Sequence, residues 1–510
     1  MFSRLFKRLN RETVRKRAEY EMTLSADLKQ TVTSIENIVG ESSDVFKREM
    51  RLGKTISATL FFIEGLADKE SIEEDVIKPL VHLSPAEAHK LQGSPNLIRS
   101  LQEVLTLSSI RVFDSFDQAI LHFLGGESLL VIDGVKGLIV LGSKEIKHER
   151  SVEEPESEVV VRGPRDGFNE TLRTNITLIR RRLRDPNLVI QIGQLGRRSK
   201  RDFAIMYIKG ITNQDLIDEV RYRVACADVD DMAESGTLEQ LIEDDVLSPF
   251  PQVQQTERPD KASSALTNGQ VVLLLDGTPY VLMLPVTFHL LLKSPEDYYE
   301  RWQIGSVIRF LRYGAAFMAL FLPSLYVAMV SYHQGMIPTP LALSIAGSRE
   351  GVPFPAFVEA LLMEFSIELL REAGIRLPSP IGQTIGIVGG LVIGDAAVRA
   401  GLVSPIMVIV VALTAIASFA IPAYNVGITF RLLRFVLMAA AATMGLYGII
   451  IVYILINIHL VGLRSFGSYY LSPFVPYRFL HWLDVVLRAP MPLMRLRPAE
   501  PRTLDDKKQD

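Results

Sequence analysis

The 510-residue chain has a single cysteine, Cys226. No disulfide can form within it, and no metal cluster can be built from its thiolates. Cys226 itself reads as a small buried core residue. A large excess of charge of one sign is also missing. A net charge of −3 points to neither a strongly basic nor a strongly acidic partner. The start, MFSRLFKRLNRETVRKR, is basic, but no apolar run follows it, so the pattern of a cleavable signal peptide is missing. On that reading the first 300 residues stay in the cytosol. Phe2, Leu5, Phe6 and Leu9 fall near helical spacing, which suits an anionic lipid surface or a solvated terminus equally. There is no phosphate-binding loop, zinc-protease helix motif or nucleophile elbow. The eight histidines are scattered, with none in ligand spacing. The chain is therefore expected to be no enzyme and to need no cofactor or metal.

What is present is unevenly spread. Residues 1–300 are charged and ordinary, and residues 306–461 are apolar with few charges. The shift near Trp302 predicts a multi-domain chain: a cytosolic α/β half of two similar subdomains, then an α-helical polytopic membrane domain. The expected segments are a basic start (1–29), a first subdomain (30–150), a connector (151–177), a second subdomain (178–300), the membrane domain (301–461) and a cytosolic tail (462–510).

The two subdomains rest on a repeat. ATLFFIEGLADKESIEEDVIKPLVH from Ala58 and FAIMYIKGITNQDLIDEVRYRVAC from Phe203 each read as strand, glycine, polar turn and amphipathic helix. SLLVIDGVKGLIVLG from Ser128 and QVVLLLDGTPYVLMLP from Gln270 each read as a hairpin across Asp-Gly. Gly65 to Gly134 spans about 69 positions and Gly210 to Gly277 about 67, a fixed separation of the kind duplication leaves. In the connector, EVVVRG (158–163) reads as a strand. A helix follows, capped at Asn169 or Thr171, running through Arg184 and ended by Pro186. It carries Arg173, Arg180, Arg181, Arg182 and Arg184. Such a face suits ion pairing or docking on another subunit or the membrane surface. Nucleic acid is not an expected partner.

Four stretches are long and apolar enough to cross a bilayer: 310–332, 381–400, 402–421 and 435–460. In the second, Gly382, Gly386, Gly390 and Gly394 recur every four residues and form a bare stripe suited to close helix packing. Asp395 follows, either neutralised by Arg399 four residues on or facing a wet path. Arg301, Arg309 and Arg312 around the start of the first stretch, and the arginine-rich tail, favour a cytosolic location for both. Four crossings satisfy that. They leave Arg431 and Arg434 outside, and a fifth crossing would instead put the tail outside.

Between the first two stretches lies EALLMEFSIELLREAGIRLP, with Glu359, Glu364, Glu368 and Glu372. At 100° per residue, Glu364, Glu368, Arg371 and Glu372 share an arc of about 100°, with leucines, Met363 and Phe365 opposite. This predicts an amphipathic helix near 356–372. Either it lies in the interface, or its acidic side lines water. If several copies meet around an axis, the second arrangement makes an acidic ring, which favours cations. Glu359, Glu364, Glu368, Glu372 and Asp395 are the candidates for an ion path.

The stretches EPESEVVVRGPRDGFNETLRTNITLIRRRLRDPNL, YIKGITNQDLIDEVRYRV, LYVAMVSYHQGMIPTPLALSIAGSREGVPFPAFVEALLMEFSIELLREAGIRLPSPIGQTIGIVGGLVIGDAAVRAGLVSP and GLRSFGSYYLSPFVPY resemble the GerA family of spore germination proteins, the A subunits of nutrient germinant receptors. The resemblance covers roughly residues 30 to 480. It implies a subunit of the spore inner membrane. That subunit would work with a transporter-like B subunit, which binds the nutrient, and a lipoprotein C subunit. It would assemble as a ring of five forming a nutrient-gated cation channel. The competing expectation is a non-conducting scaffold or accessory germination protein that organises a receptor. A nutrient transporter fits less well, since no inverted repeat is visible among the spans.

Overall fold

The computed structural model describes residues 24–93, 97–107, 109–144, 154–376, 394–477, 482, 484–498, 500–505 and 507–508. The chain forms two compact units. One comprises the chain up to 243 with 255–285 and 495–510, and the other 244–254 with 286–494. The expected boundary near Trp302 therefore falls earlier, and the tail is divided.

The first unit is an α/β structure built on two five-stranded sheets. The first contains β1 (Val45–Leu52), β2 (Ile56–Ile63), β3 (Ile110–Phe113), β4 (Ser128–Ile132) and β5 (Leu138–Leu141), in the order β1-β2-β4-β5-β3. The second contains β6 (Leu188–Leu195), β7 (Arg201–Ile208), β8 (Gln254–Thr256), β9 (Val271–Leu275) and β10 (Val281–Leu284), in the matching order β6-β7-β9-β10-β8. After Ser128, LLVI (129–132) and VVLLL (271–275) are unbroken apolar runs because both faces of these central strands are covered. In the first sheet Leu60, Leu130 and Ile139 pack on one side. Their strand neighbours Phe61, Leu129 and Val140 pack on the other.

The hairpin aspartates have the same task twice. Asp133 accepts from the Leu28 amide (3.4 Å), and Asp276 accepts from the Leu172 amide (3.0 Å). The following glycines, Gly134 and Gly277, with φ of +78° and +87°, donate to the carbonyls of Ala26 and Glu170. Each Asp-Gly corner thus fixes the start of a helix, Leu28–Val39 in one case and Leu172–Arg182 in the other. The arginine helix is the counterpart of Leu28–Val39 and opens the second subdomain.

That helix also ties the two sheets together. Arg180 is buried, donating from Nε to Asp44 Oδ2 (2.8 Å) and from Nη2 to Asp44 Oδ1 (2.9 Å) and Ser42 Oγ (2.6 Å). Arg173 pairs with Glu64, and Arg182 with Asp166. A Cβ at Gly65, which has φ of +81°, would collide with the Thr177 hydroxyl. Of the five arginines, Arg180 is an internal clamp, Arg173 and Arg182 are ion-paired nearer the surface, and Arg181 and Arg184 are exposed; the acids of the three pairs come from outside the 153–158 acidic run. EVVVRG is not a strand. Val160 is buried while Val159 and Val161 are exposed. Arg258 holds the segment by donating to the carbonyls of Glu158 (3.1 Å) and Pro164 (3.0 Å), so side-chain clamping replaces a ladder. Cys226, expected in a core, is exposed. It is the last residue of the helix Gln214–Cys226, away from that helix's buried Leu216, Ile217, Val220 and Val224.

The tail from 495 belongs to this unit. Arg497 Nε donates to the Thr267 carbonyl (2.9 Å), and the Leu504 amide donates to the Ile211 carbonyl (2.9 Å). Gly269, at φ +85°, has no room for a Cβ against Thr503.

Glu239 gives this unit a measurable pH response. Burial, reinforced by the negative charge of Glu243, pushes its carboxyl up to about 7 from an ordinary 4.5, against the hydrogen bond from Gln255. A raised folded-state value means the contribution to stability is full below pH 4.5 and is lost as pH rises through about 7. Glu239→Gln is therefore expected to be nearly neutral at low pH and stabilising at pH 8, by up to about 3 kcal/mol. Denaturant titrations at the two pH values check this.

The second unit is helical. Its main elements are Trp302–Ser331, Thr339–Arg349, Ala356–Arg376, Pro405–Phe419 and Tyr424–Gly462. Among the described residues, two helices are long and apolar enough to cross a membrane, Trp302–Ser331 and Tyr424–Gly462. The helix on the third expected span, Pro405–Phe419, has only 15 residues. Most of the second expected span lies outside the described residues. The first and last helices run antiparallel. Tyr332 OH donates to the Ala442 carbonyl (2.6 Å), and the rings of Phe321 and Tyr453 meet at 5.8 Å. Ala315, Ala316, Ala319 and Ala328 line the buried side of the first helix, and such small residues permit close backbone approach. Gly445 breaks the regular geometry of the last helix, with φ of +61° and ψ of −139°.

Candidate functional site

The acidic helix Ala356–Arg376 is inside out by the standard of a soluble protein. Leu361, Leu362, Phe365 and Leu369 are exposed, whereas Glu359 and Glu364 are 0% and 1% exposed. The reason is a set of arginines on neighbouring elements. Glu359 accepts from Arg349 Nη2 (2.9 Å) and from the Ser404 amide (2.9 Å), which fixes the start of the helix Pro405–Phe419. Glu364 pairs with Arg434 on the helix Tyr424–Gly462 (2.8 Å), and both are 1% exposed. Glu368 is shared by Arg431 (3.0 Å), Arg371 (3.3 Å) and Arg434 (3.5 Å). Arg371 also lies over the Phe419 ring, and Arg431 over Tyr424.

Three guanidiniums thus meet two carboxylates around Glu364 and Glu368. Several of their polar atoms have no hydrogen-bond partner among the described residues: Glu364 Oε1, Arg434 Nε and Arg371 Nε. A buried donor or acceptor left dry costs about 1–3 kcal/mol. Water or a small ion at the cluster would recover that.

The other candidates stand apart from this cluster. Glu372 is exposed and pairs with Arg376 (2.6 Å). Asp395 is exposed and pairs with Arg399 (2.8 Å), the arrangement that neutralises both. Gly382, Gly386 and Gly390 lie outside the described residues. Gly394 faces the helix Pro405–Phe419, where a Cβ would stand 3.7 Å from Val408, an ordinary contact.

A family model described as Bacillus/Clostridium GerA spore germination protein matches residues 33–500. The chain belongs to the GerA family. Spore germination protein GerLA of Bacillus cereus is 42% identical over 95% of this chain and 97% of its own length. A Bacillus subtilis relative described as the uncharacterized membrane protein YfkQ is 42% identical over 93% of this chain and 91% of its own. The crystal structure of the N-terminal domain of the A subunit of the Bacillus megaterium germinant receptor GerK3 aligns with a TM-score of 0.42 at 28% identity, covering 53% of this chain and 99% of that one.

In this GerA chain the carboxylates of the acidic helix were visible in sequence as a face, but their partners were missed. The signal was present. Glu364 and Glu368 are four apart, and Arg431 and Arg434 are three apart, so each pair occupies one helix face at matching height. Charges in two otherwise apolar segments, opposite in sign and similarly spaced, select each other. Counting Arg431 and Arg434 as loop charges for topology concealed that. Arg309 and Arg312, also used for topology, are buried and bound to Asp297 and Asp484.

Proposed function

We propose that the chain is a membrane subunit of a spore germinant receptor, and that copies of it assemble into a nutrient-gated cation channel. It would work in the spore inner membrane, its first unit cytosolic, with a transporter-like B subunit and a lipoprotein C subunit. A pentameric ring is the assembly proposed. Family membership supports the germination role. The observation that carries the channel reading is the cluster at Glu364 and Glu368: buried polar atoms without partners among the described residues, between helices that otherwise bury apolar side chains. Such atoms favour water at that depth, and water at that depth is what an ion path requires.

Purified oligomer in liposomes is expected to pass monovalent cations. Glu364→Gln and Glu368→Gln are expected to change selectivity. Glu372→Gln is a cleaner probe, since its side chain is exposed and its loss should leave the fold unchanged. Unchanged selectivity in all of these variants would remove the acidic helix from the path. One image of the particle, counting subunits about its axis, tests the ring.

The second reading, a non-conducting scaffold, has its own support. Glu359, Glu364 and Glu368 are each neutralised within one protomer, as in a purely structural network. It predicts liposomes that stay tight while the first unit still binds receptor partners.

A further inference from the structure

A cavity of about 440 Å³ opens between the first and last helices of the second unit. Its walls include Tyr313, Ala316 and Phe317 from the first helix, Tyr453 and Asn457 from the last, and Phe474 beyond. Apart from the amide of Asn457 and the tyrosine hydroxyls, its lining side chains are hydrocarbon or aromatic. The Asn457 amide donates to the Tyr453 carbonyl within its own helix (2.8 Å). Nothing charged or strongly polar would be recognised there. Phe317 (56% exposed) and Tyr453 (50%) stand at its open side. These lie on the two helices that are long and apolar enough to cross a membrane, so on the membrane reading the medium outside the mouth is lipid.

Size and charge select the occupant. The volume lies in the range of a small-ligand pocket, about 300–1,000 Å³, whereas a whole helix is about 10–12 Å across. Arg464 is exposed three residues after Val461, which also lines the cavity, in extended chain just past the end of the last helix, with its guanidinium over the Tyr469 ring at 5.2 Å. Because the two helices are antiparallel, Arg301 and Trp302 at the start of the first lie toward the same end. Both are exposed. An apolar slot with cations at one end complements a long acyl chain under an anionic headgroup. We propose that this cavity holds one acyl chain of an anionic phospholipid, with its phosphate on Arg464. Phe250 and Phe288, from segments 244–254 and 286–301 of the same unit, also line the slot. The bound chain would therefore brace those segments against the helices. The proposal rests on the membrane reading of these helices.

The chain carries its own reporter. Its two tryptophans are Trp302 and Trp482, and the Trp482 ring packs edge-on against Phe474 at 5.0 Å. With Trp302→Phe as background, Trp482 should be quenched when full-length protein is placed in nanodiscs of phosphatidylglycerol with brominated acyl chains. Ala316→Phe should fill the slot and weaken lipid retention about tenfold, the cost of roughly two buried methylenes. Arg464→Gln, a surface change that leaves the core intact, should reduce quenching by anionic but not zwitterionic brominated lipid. Native mass spectra of the detergent-extracted protein should show one phospholipid per protomer, lost in Ala316→Phe. Membrane-inserted protein with unquenched Trp482, or quenching indifferent to both substitutions, overturns the lipid site; protein that stays soluble without detergent overturns the membrane reading instead. Exclusion of lipid only in the oligomer would assign the slot to a second copy, and also overturns the proposal.

Discussion

Arg434→Met is expected to destabilise the helical unit by about 3–5 kcal/mol, the usual cost of stranding a buried charge. Glu364 is 1% exposed and has Arg434 as its ion-pair partner, so the substitution leaves a buried carboxylate without that partner. Glu364→Leu should cost less, because Arg434 retains Glu368 at 3.5 Å. The double substitution Glu364→Leu with Arg434→Met should recover most of the loss, since well-packed apolar residues commonly replace a buried pair without penalty. Thermal unfolding of the detergent-purified protein in the four backgrounds measures the coupling. A double variant no better than Arg434→Met alone would show that the pair is not what joins these helices.

Arg180→Met should have an effect of similar size in the α/β unit, about 3–5 kcal/mol, because Asp44 is then buried without its counter-charge and keeps only the hydrogen bond from the Ser42 hydroxyl (2.6 Å). The residue bridges two sheets, so the damage should be a loss of cooperativity: both subdomains become sensitive to protease at the same denaturant concentration in the parent and at separate concentrations in the variant. Arg180→Lys keeps the charge but not the fork that reaches both oxygens of Asp44 and Ser42 Oγ. An intermediate loss is expected for it. A Lys variant equal to the parent would mean that charge alone suffices there.

The α/β architecture was legible wherever local chemistry decides it. The Asp-Gly corners were readable because the glycines need φ above zero, and the runs beside them because central strands covered on both faces need no polar alternation. EVVVRG was misread because three valines imitate a strand. What decides that segment is Arg258, about a hundred residues away in sequence, and no local pattern carries that information. The same limit applies to the charges of the helical unit. A carboxylate face is a local property and was seen. Whether it meets water or arginine depends on which helix lies beside it, and here Arg349, Arg431 and Arg434 do. Burial reverses the usual meaning of the helical pattern: the leucines are outermost because the charges found partners inside.

The last residues have a consequence for how the polypeptide is threaded. Arg497 and Leu504 are hydrogen-bonded into the same fold that the first sheets build. Two parts of one folded body cannot occupy opposite compartments. On the proposed membrane reading, the backbone returns to the compartment that holds this folded body, so the expected number of passes is even, four rather than five.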